Sequence, residues 1–247
     1  MTEQRGVVLV TGGSRGIGAA VCRLLGRAGR PVAVNYARDV AAAQSVCADI
    51  MQSGGRAIAV QGDMADEGDI VRVFGAVDSA LGRIDGLVAN AGITGALTRV
   101  DSVTAETVQR VLAVNVVGPF LCAREAVRRM STAQGGQGGA IVNISSRAAG
   151  LGGAGEWVHY AASKGAIDSF TIGLAKEVAG EGIRVNAVAP GLIDTEIHYG
   201  DRLARMAPTV PMARAGSADE VAEAVAWLLS PAASYITGTI LHVSGGR

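Results

Sequence analysis

The sequence predicts an α/β protein, a single domain over residues 1–247 in which helices wind both faces of a seven-stranded parallel sheet, and three observations carry that prediction. Short β-rich runs alternate with stretches of helical periodicity along the chain. The first such run feeds a glycine-rich turn that opens a helix. The 247 residues, 49% of them hydrophobic, suffice for a large buried core. Because each parallel connection needs a crossover, this alternation gives a doubly wound, Rossmann-like arrangement.

In chain order, Val7-Val8-Leu9-Val10 is an apolar run of the buried-strand kind, and Ala19-Ala20-Val21-Cys22-Arg23-Leu24-Leu25 places a helix over about 16–29. Further strands are predicted at about 31–36, 56–61, 84–89, 139–145, 182–189 and 238–243. Helices fall at about 39–53, 66–81, 104–131, 157–180 and 217–229, the fourth as one long element. Gly135-Gly136-Gln137-Gly138-Gly139 is a turn inside the alternation, not a linker. Only the segment over about 192–215, with Pro208 and Pro211, breaks the pattern, and its position suits a substrate lid.

Composition narrows the function classes. With 22 basic and 22 acidic residues and no basic stripe, nothing points to nucleic acid or an anionic membrane. Cys22, Cys47 and Cys122 are odd in number and widely separated, which suggests packed thiols and no disulfide framework. His159, His198 and His242 are scattered, and no ligand spacing suggests a metal. Met1-Thr2-Glu3-Gln4-Arg5 leads straight into a strand with no signal-like apolar region and no 18-residue apolar span, so a cytoplasmic protein is expected. The chain has no G-x-S-x-G elbow of a serine hydrolase.

Two motifs carry chemistry. In Thr11-Gly12-Gly13-Ser14-Arg15-Gly16-Ile17-Gly18, a strand end, a glycine-rich turn and a helix N-terminus follow one another. That sequence offers free N–H groups and a helix dipole to a pyrophosphate. Gly18 is followed by Ala19 and Ala20 instead of the lysine of a nucleotide-hydrolysing loop, which argues against an ATPase or GTPase. The second motif is Tyr160-Ala161-Ala162-Ser163-Lys164, in a chain with four tyrosines and two lysines. Chance supplies only about 0.03 such spacings in a chain of this make-up. On a helix the i and i+4 side chains share a face, so the ammonium is expected to lower the phenol's pKa and make Tyr160 an acid/base near neutral pH.

Together with Asn90-Ala91-Gly92 and Ser146, these ordered motifs resemble the short-chain dehydrogenase/reductase family over nearly the whole chain. Gly139-Ala140-Ile141-Val142-Asn143-Ile144-Ser145-Ser146, Pro190-Gly191 with Thr195, and the closing Thr237-Gly238 and Gly245-Gly246 look like its 3-oxoacyl-carrier-protein reductase and sugar dehydrogenase branch. The resemblance implies hydride transfer between a nicotinamide and a carbonyl or secondary alcohol. Tyr160 is then the proton donor, Lys164 its tuner and the holder of the nicotinamide ribose, and Ser146 the hydrogen-bond partner of the substrate oxygen. Ser146 is chosen over Ser145 because it directly precedes the small-residue run. Asn115 corresponds to a helix-interior asparagine thought to hold a water that connects Lys164 to solvent.

The implied cofactor-binding set is Gly12, Ser14, Arg15, Gly16, Ile17, Gly18, Tyr36, Arg38, Asp63, Asn90, Gly92, Tyr160, Lys164, Pro190, Gly191, Ile193 and Thr195. Tyr36 aligns with the acid by which NAD-preferring relatives hold the adenosine ribose, while Arg15 and Arg38 suit a 2′-phosphate, so NADP(H) is favoured over NAD(H). Asp39 lies close enough to unsettle that assignment. Asp63 is expected to accept from the adenine amino group, with a cap for the helix near Asp66 as the competing reading. Thr195 is expected to orient the carboxamide or to cap a helix. Arg147, Leu151, Trp157 and His198 are candidate substrate contacts, with Arg147 either meeting an acidic substrate or lying at the surface. A homotetramer is implied by resemblance. The rival to a reductase is a catalytically silent dinucleotide-binding sensor or scaffold, which would not need Ser146, Tyr160, Lys164 and Asn115 together.

Overall fold

The computed structural model describes residues 6–196 and 201–247. All seven predicted strands form: β1 (Val7–Val10), β2 (Val32–Tyr36), β3 (Ala57–Gln61), β4 (Ile84–Ala89), β5 (Gly139–Ile144), β6 (Ile183–Pro190) and β7 (Ile240–Val243). They make one parallel sheet in the order β3-β2-β1-β4-β5-β6-β7. The helices are α1 (Gly16–Arg27), α2 (Val40–Gln52), α3 (Glu67–Leu81), α4 (Ala105–Leu112), α5 (Gly118–Met130), α6 (Ala148–Leu151), α7 (Val158–Val178), α8 (Arg202–Met206) and α9 (Ala218–Leu229).

The strands read as continuous apolar runs because both sheet faces are covered. Within β1, Val8 and Val10 join the core beneath α1, α2 and α9, while Val7 and Leu9 join the opposite core with Phe74 of α3, Met130 of α5 and Val178 of α7. Period-two alternation thus sorts one apolar tetrapeptide into two cores. Helix starts carry local signals: Asp39, Asp66 and Thr104 each accept from a backbone N–H in the first turn of the helix they precede. Ser217 and Glu220 form a reciprocal capping box on α9.

The helix predicted over 104–131 is interrupted. Between α4 and α5, Ala113–Val117 forms a π-helical turn. Pro119 at the start of α5 has no N–H to donate to the Asn115 carbonyl four residues back, and a widened turn accommodates the missing bond. Gly118 also packs against the Met64 carbonyl so closely that a side chain there would collide with it. In the predicted lid, Ile193 bridges Gly216 and α8 lies beyond, whereas His198 falls outside the described residues.

Candidate active site

Strand order reverses at β1, which pairs with β2 on one side and β4 on the other. Ligands of open parallel sheets bind outside the carboxyl ends of the strands at such a point. A cleft of about 690 Å³ opens there. It is lined by every residue of the predicted catalytic and cofactor sets except Gly18 and Asn115, which stand behind its wall.

The glycine-rich turn forms the floor at one end. Gly12 and Gly16 adopt left-handed backbone angles (φ +61° and +52°). Gly18 is needed for closeness: a Cβ there would lie 2.6 Å from Asn90 Nδ2 and collide with the Gly12 carbonyl. No side chain caps the start of α1, so its first N–H groups are left for a ligand. These features fit a pyrophosphate, which needs close backbone approach and free donors.

Three polar side chains hold the turn in shape. Asn90 donates through Nδ2 to the Thr11 and Gly12 carbonyls at 2.9 and 3.0 Å. The Thr11 hydroxyl accepts from the Asn90 and Ala91 N–H groups at 3.0 Å each. Asn35, buried in β2, accepts from Gly12 N at 3.1 Å and donates to the Val60 and Gly62 carbonyls. The roles of Thr11 and Asn35 were missed in the sequence, where a polar residue inside or just after an otherwise apolar strand was the available signal.

At the adenosine end, Tyr36 is buried and Arg38 is exposed with no ion pair among the described residues. Arg15 lies 3.9 Å from Asp39 and 3.5 Å from Glu196, both exposed contacts. Asp39 caps α2 by accepting from Ala42 N at 2.9 Å, so its carboxylate already has two partners. Asp63 does not cap the next helix, since Asp66 does. Its Oδ1 accepts from Ala65 N and its Oδ2 from Arg110 at 2.8 Å. Burial raises this carboxyl's pKa, but those hydrogen bonds and the Arg110 charge outweigh it and leave the net value low.

The phenol and the ammonium share a face of α7, with Lys164 Nζ 5.7 Å from the Tyr160 ring centroid. Lys164 is buried and donates to the Ile144 carbonyl at 2.7 Å. Burial pulls its pKa down to about 8, opposed by the negative charge of Asp168 one turn further along. The expected lowering of the tyrosine's pKa is reversed: burial pushes Tyr160 up, and a hydrogen bond with Ser146 only partly offsets this. The cause is burial, which outweighs the neighbouring serine, while the ammonium is directed at the Ile144 carbonyl. The neighbouring Ser145 also lines the cleft and donates to the Lys164 carbonyl at 3.3 Å.

Asn115 is fully buried in the π-helical turn. Its Nδ2 donates to the Ile93 carbonyl at 2.8 Å and to Ser163 Oγ at 3.0 Å, and its Oδ1 accepts from Ile93 N at 2.8 Å. Both amide protons are thereby used, so this side chain clamps the segment after β4. Among the described residues the Thr195 hydroxyl reaches only the Ile193 carbonyl, at 3.5 Å.

At the far end, Ser146 and Tyr160 meet Arg147, Leu151, Glu156, Trp157, Arg202 and Arg247. Arg147 donates through Nε to the Arg247 carbonyl at 2.6 Å and approaches His242. Arg202 pairs with Glu156 at 2.5 Å and stacks 4.6 Å above the Trp157 ring. His159 is half-buried and reaches the Thr94 carbonyl at 2.9 Å.

Residues 12–247 match the family model described as enoyl-(acyl carrier protein) reductase. The chain is 51% identical to the uncharacterised oxidoreductase YgfF of Escherichia coli over 98% of its length and 99% of that protein. It is 41% identical to a 3-oxoacyl-[acyl-carrier-protein] reductase of Synechocystis, covering 97% of this chain and 96% of that one. A short-chain dehydrogenase of Burkholderia cenocepacia, solved in complex with NADP, superposes with a TM-score of 0.92 at 36% identity over 99% of both chains. With a seven-stranded parallel sheet, a glycine-rich nucleotide turn and a Ser146–Tyr160–Lys164 cluster in one cleft, this chain belongs to the short-chain dehydrogenase/reductase family of oxidoreductases.

Proposed function

We propose that the protein is an NADP(H)-dependent oxidoreductase that interconverts a carbonyl and a secondary alcohol, with Tyr160 as general acid/base. The observation that carries this reading is the convergence of Ser146, Tyr160 and the buried ammonium of Lys164 in the same cleft as the glycine-rich turn. A bound dihydronicotinamide supplies the hydride. Ser146 positions the carbonyl oxygen, and Tyr160 gives that oxygen its proton as negative charge develops. Lys164 places a positive charge beside the phenol, which favours the phenolate left after transfer.

Gly12, Ser14, Gly16 and Ile17 would hold the pyrophosphate, Asp63 the adenine, and Pro190, Gly191, Ile193 and Thr195 the nicotinamide side. Asn90 and Gly92 shape the wall between them. The preference for NADP(H) is supported by three features. β2 ends in Tyr36 and not in a carboxylate, Asp39 is already engaged by the α2 N-terminus and Arg15, and Arg38 is exposed without an ion pair among the described residues. The Burkholderia relative was solved with NADP. Fluorescence titration is expected to give at least tenfold tighter binding of NADPH than NADH, about 1.4 kcal/mol. An equal or reversed preference would reject the assignment.

Tyr160→Phe is expected to keep NADPH affinity within about twofold and to lower kcat by about 10² or more with ketones, oxoacyl thioesters and sugar lactones as test substrates. Retained turnover would remove Tyr160 from the role. Exposed apolar side chains on α4, α5 and α7, including Leu112, Phe120 and Ile172, with Phe120 stacked on Phe170 at 3.7 Å, support a homo-oligomer. Light scattering on the eluted protein measures it directly.

A further inference from the structure

The two ends of the cleft differ in charge. Among its described lining residues, the carboxylates of Asp39, Asp63 and Glu196 lie at the cofactor end, where Arg15 and Arg110 pair with them. At the substrate end three guanidiniums, Arg147, Arg202 and Arg247, face the single side-chain carboxylate of Glu156, and Arg147 is also engaged by the Arg247 main-chain oxygen. Arg205 is near enough to act on Glu156 as well.

Arg202 is held ready. Its side chain is 14% exposed, its guanidinium lies over the Trp157 ring, and one amino group is taken by Glu156. Its Nε is buried with no hydrogen-bond partner among the described residues. A guanidinium presents five donors in a rigid fork, so one carboxylate partner leaves donors for a second anion. Glu156 stays ionised because the Arg202 hydrogen bond, and then the charges of Arg205 and Arg247, hold its carboxyl below the usual range. The surplus positive charge in this partly enclosed pocket is therefore permanent, and an incoming anion would offset its desolvation.

We propose that the substrate end takes a carbonyl compound carrying an anionic oxygen group, a carboxylate or a phosphate, remote from the reacting carbon, and that Arg202 and Arg247 bind that group. The inference rests on the carbonyl-reductase reading, and it adds the class of substrate. Neutral ketones are handled at a disadvantage, because they leave the surplus positive charge and the spare Arg202 donor without a partner.

The test compares NADPH-dependent reduction of 4-oxocyclohexanecarboxylate with that of its methyl ester. The acid is expected to win by about tenfold or more in kcat/KM, mostly through KM, and the advantage shrinks as salt is added. In Arg202→Gln and in Arg247→Gln the acid-to-ester ratio is expected to fall toward one, while Arg202→Lys keeps part of it. Calorimetry on the NADPH-loaded protein with cyclohexanecarboxylate and with inorganic phosphate reads the anion site without turnover and tells the two sources apart. A wild-type ratio near one, a ratio unchanged in both glutamine variants, or no binding of either anion would overturn the proposal. If neither ketone is reduced yet cyclohexanecarboxylate binds in an Arg202-dependent way, the reductase reading fails and the anion site stands. Thermal melting of each variant separates a lost contact from a lost fold, and the two arginines lie on different elements.

Discussion

Lys164 illustrates how burial sets chemistry at the residue scale. Its folded pKa of about 8 lies below the ordinary 10.5, so between those values the unfolded chain holds a proton that the folded chain has released. Stability from this group is therefore lowest below pH 8, where both states are charged, and rises as pH climbs from about 8 toward 10.5. The gain amounts to about 3 kcal/mol at most. Denaturant melts of wild type and Lys164→Met across that window are expected to converge or cross as pH rises. A difference between them that stays flat with pH contradicts the buried cation. The Tyr-x-x-x-Lys spacing alone located the pair, because i and i+4 residues share a helix face. Its electrostatics were not legible, because they are set first by burial, which the elements packed around α7 create.

The strand-turn-helix unit of β1, the glycine-rich turn and α1 was readable at the element scale because each residue obeys a local rule. Gly18 shows the limit of that reading. It resembles a phosphate-loop glycine, yet its constraint is packing against Gly12 and Asn90. Gly18→Ala is expected to cost about 1–3 kcal/mol by overpacking and to weaken NADPH binding by shifting the turn. Unfolding curves and nucleotide titration check both effects, and a variant with wild-type values in both would show that the turn gives way freely. The helix over 104–131 went the other way. Gly118-Pro119 marked a break, but the periodicity on either side concealed it, and the break sets Asn115 against both backbone groups of Ile93.

The sheet is what makes a site of these elements at the scale of the whole molecule. Strand order brings turns 79 and 181 residues apart in sequence to one edge, as when Asn90 ties down Thr11 and Arg15 meets Glu196. Phe74, fully buried on the α3 side with Arg129 5.0 Å above its ring, is far in sequence from every cleft residue of the catalytic cluster. Phe74→Ala is expected to cost about 3–5 kcal/mol by leaving a cavity. In calorimetric melts that appears as a lower Tm, with kcat of the surviving folded protein kept. A loss below about 1 kcal/mol would mean the core closes over the gap.

By itself the sequence determined the class of fold, the strands, the nucleotide turn and the Tyr160–Lys164 pair, since these rest on periodicity, capping and spacing within about twenty residues. Tertiary structure alone decided that Asn35 and Thr11 brace the turn, that Asp39 is already engaged, and that arginines from α8 and from the end of the chain converge on Glu156. The physical reason is that hydrogen bonds and charges act through space over a few ångströms, and only the packed sheet turns distant positions along the chain into neighbours.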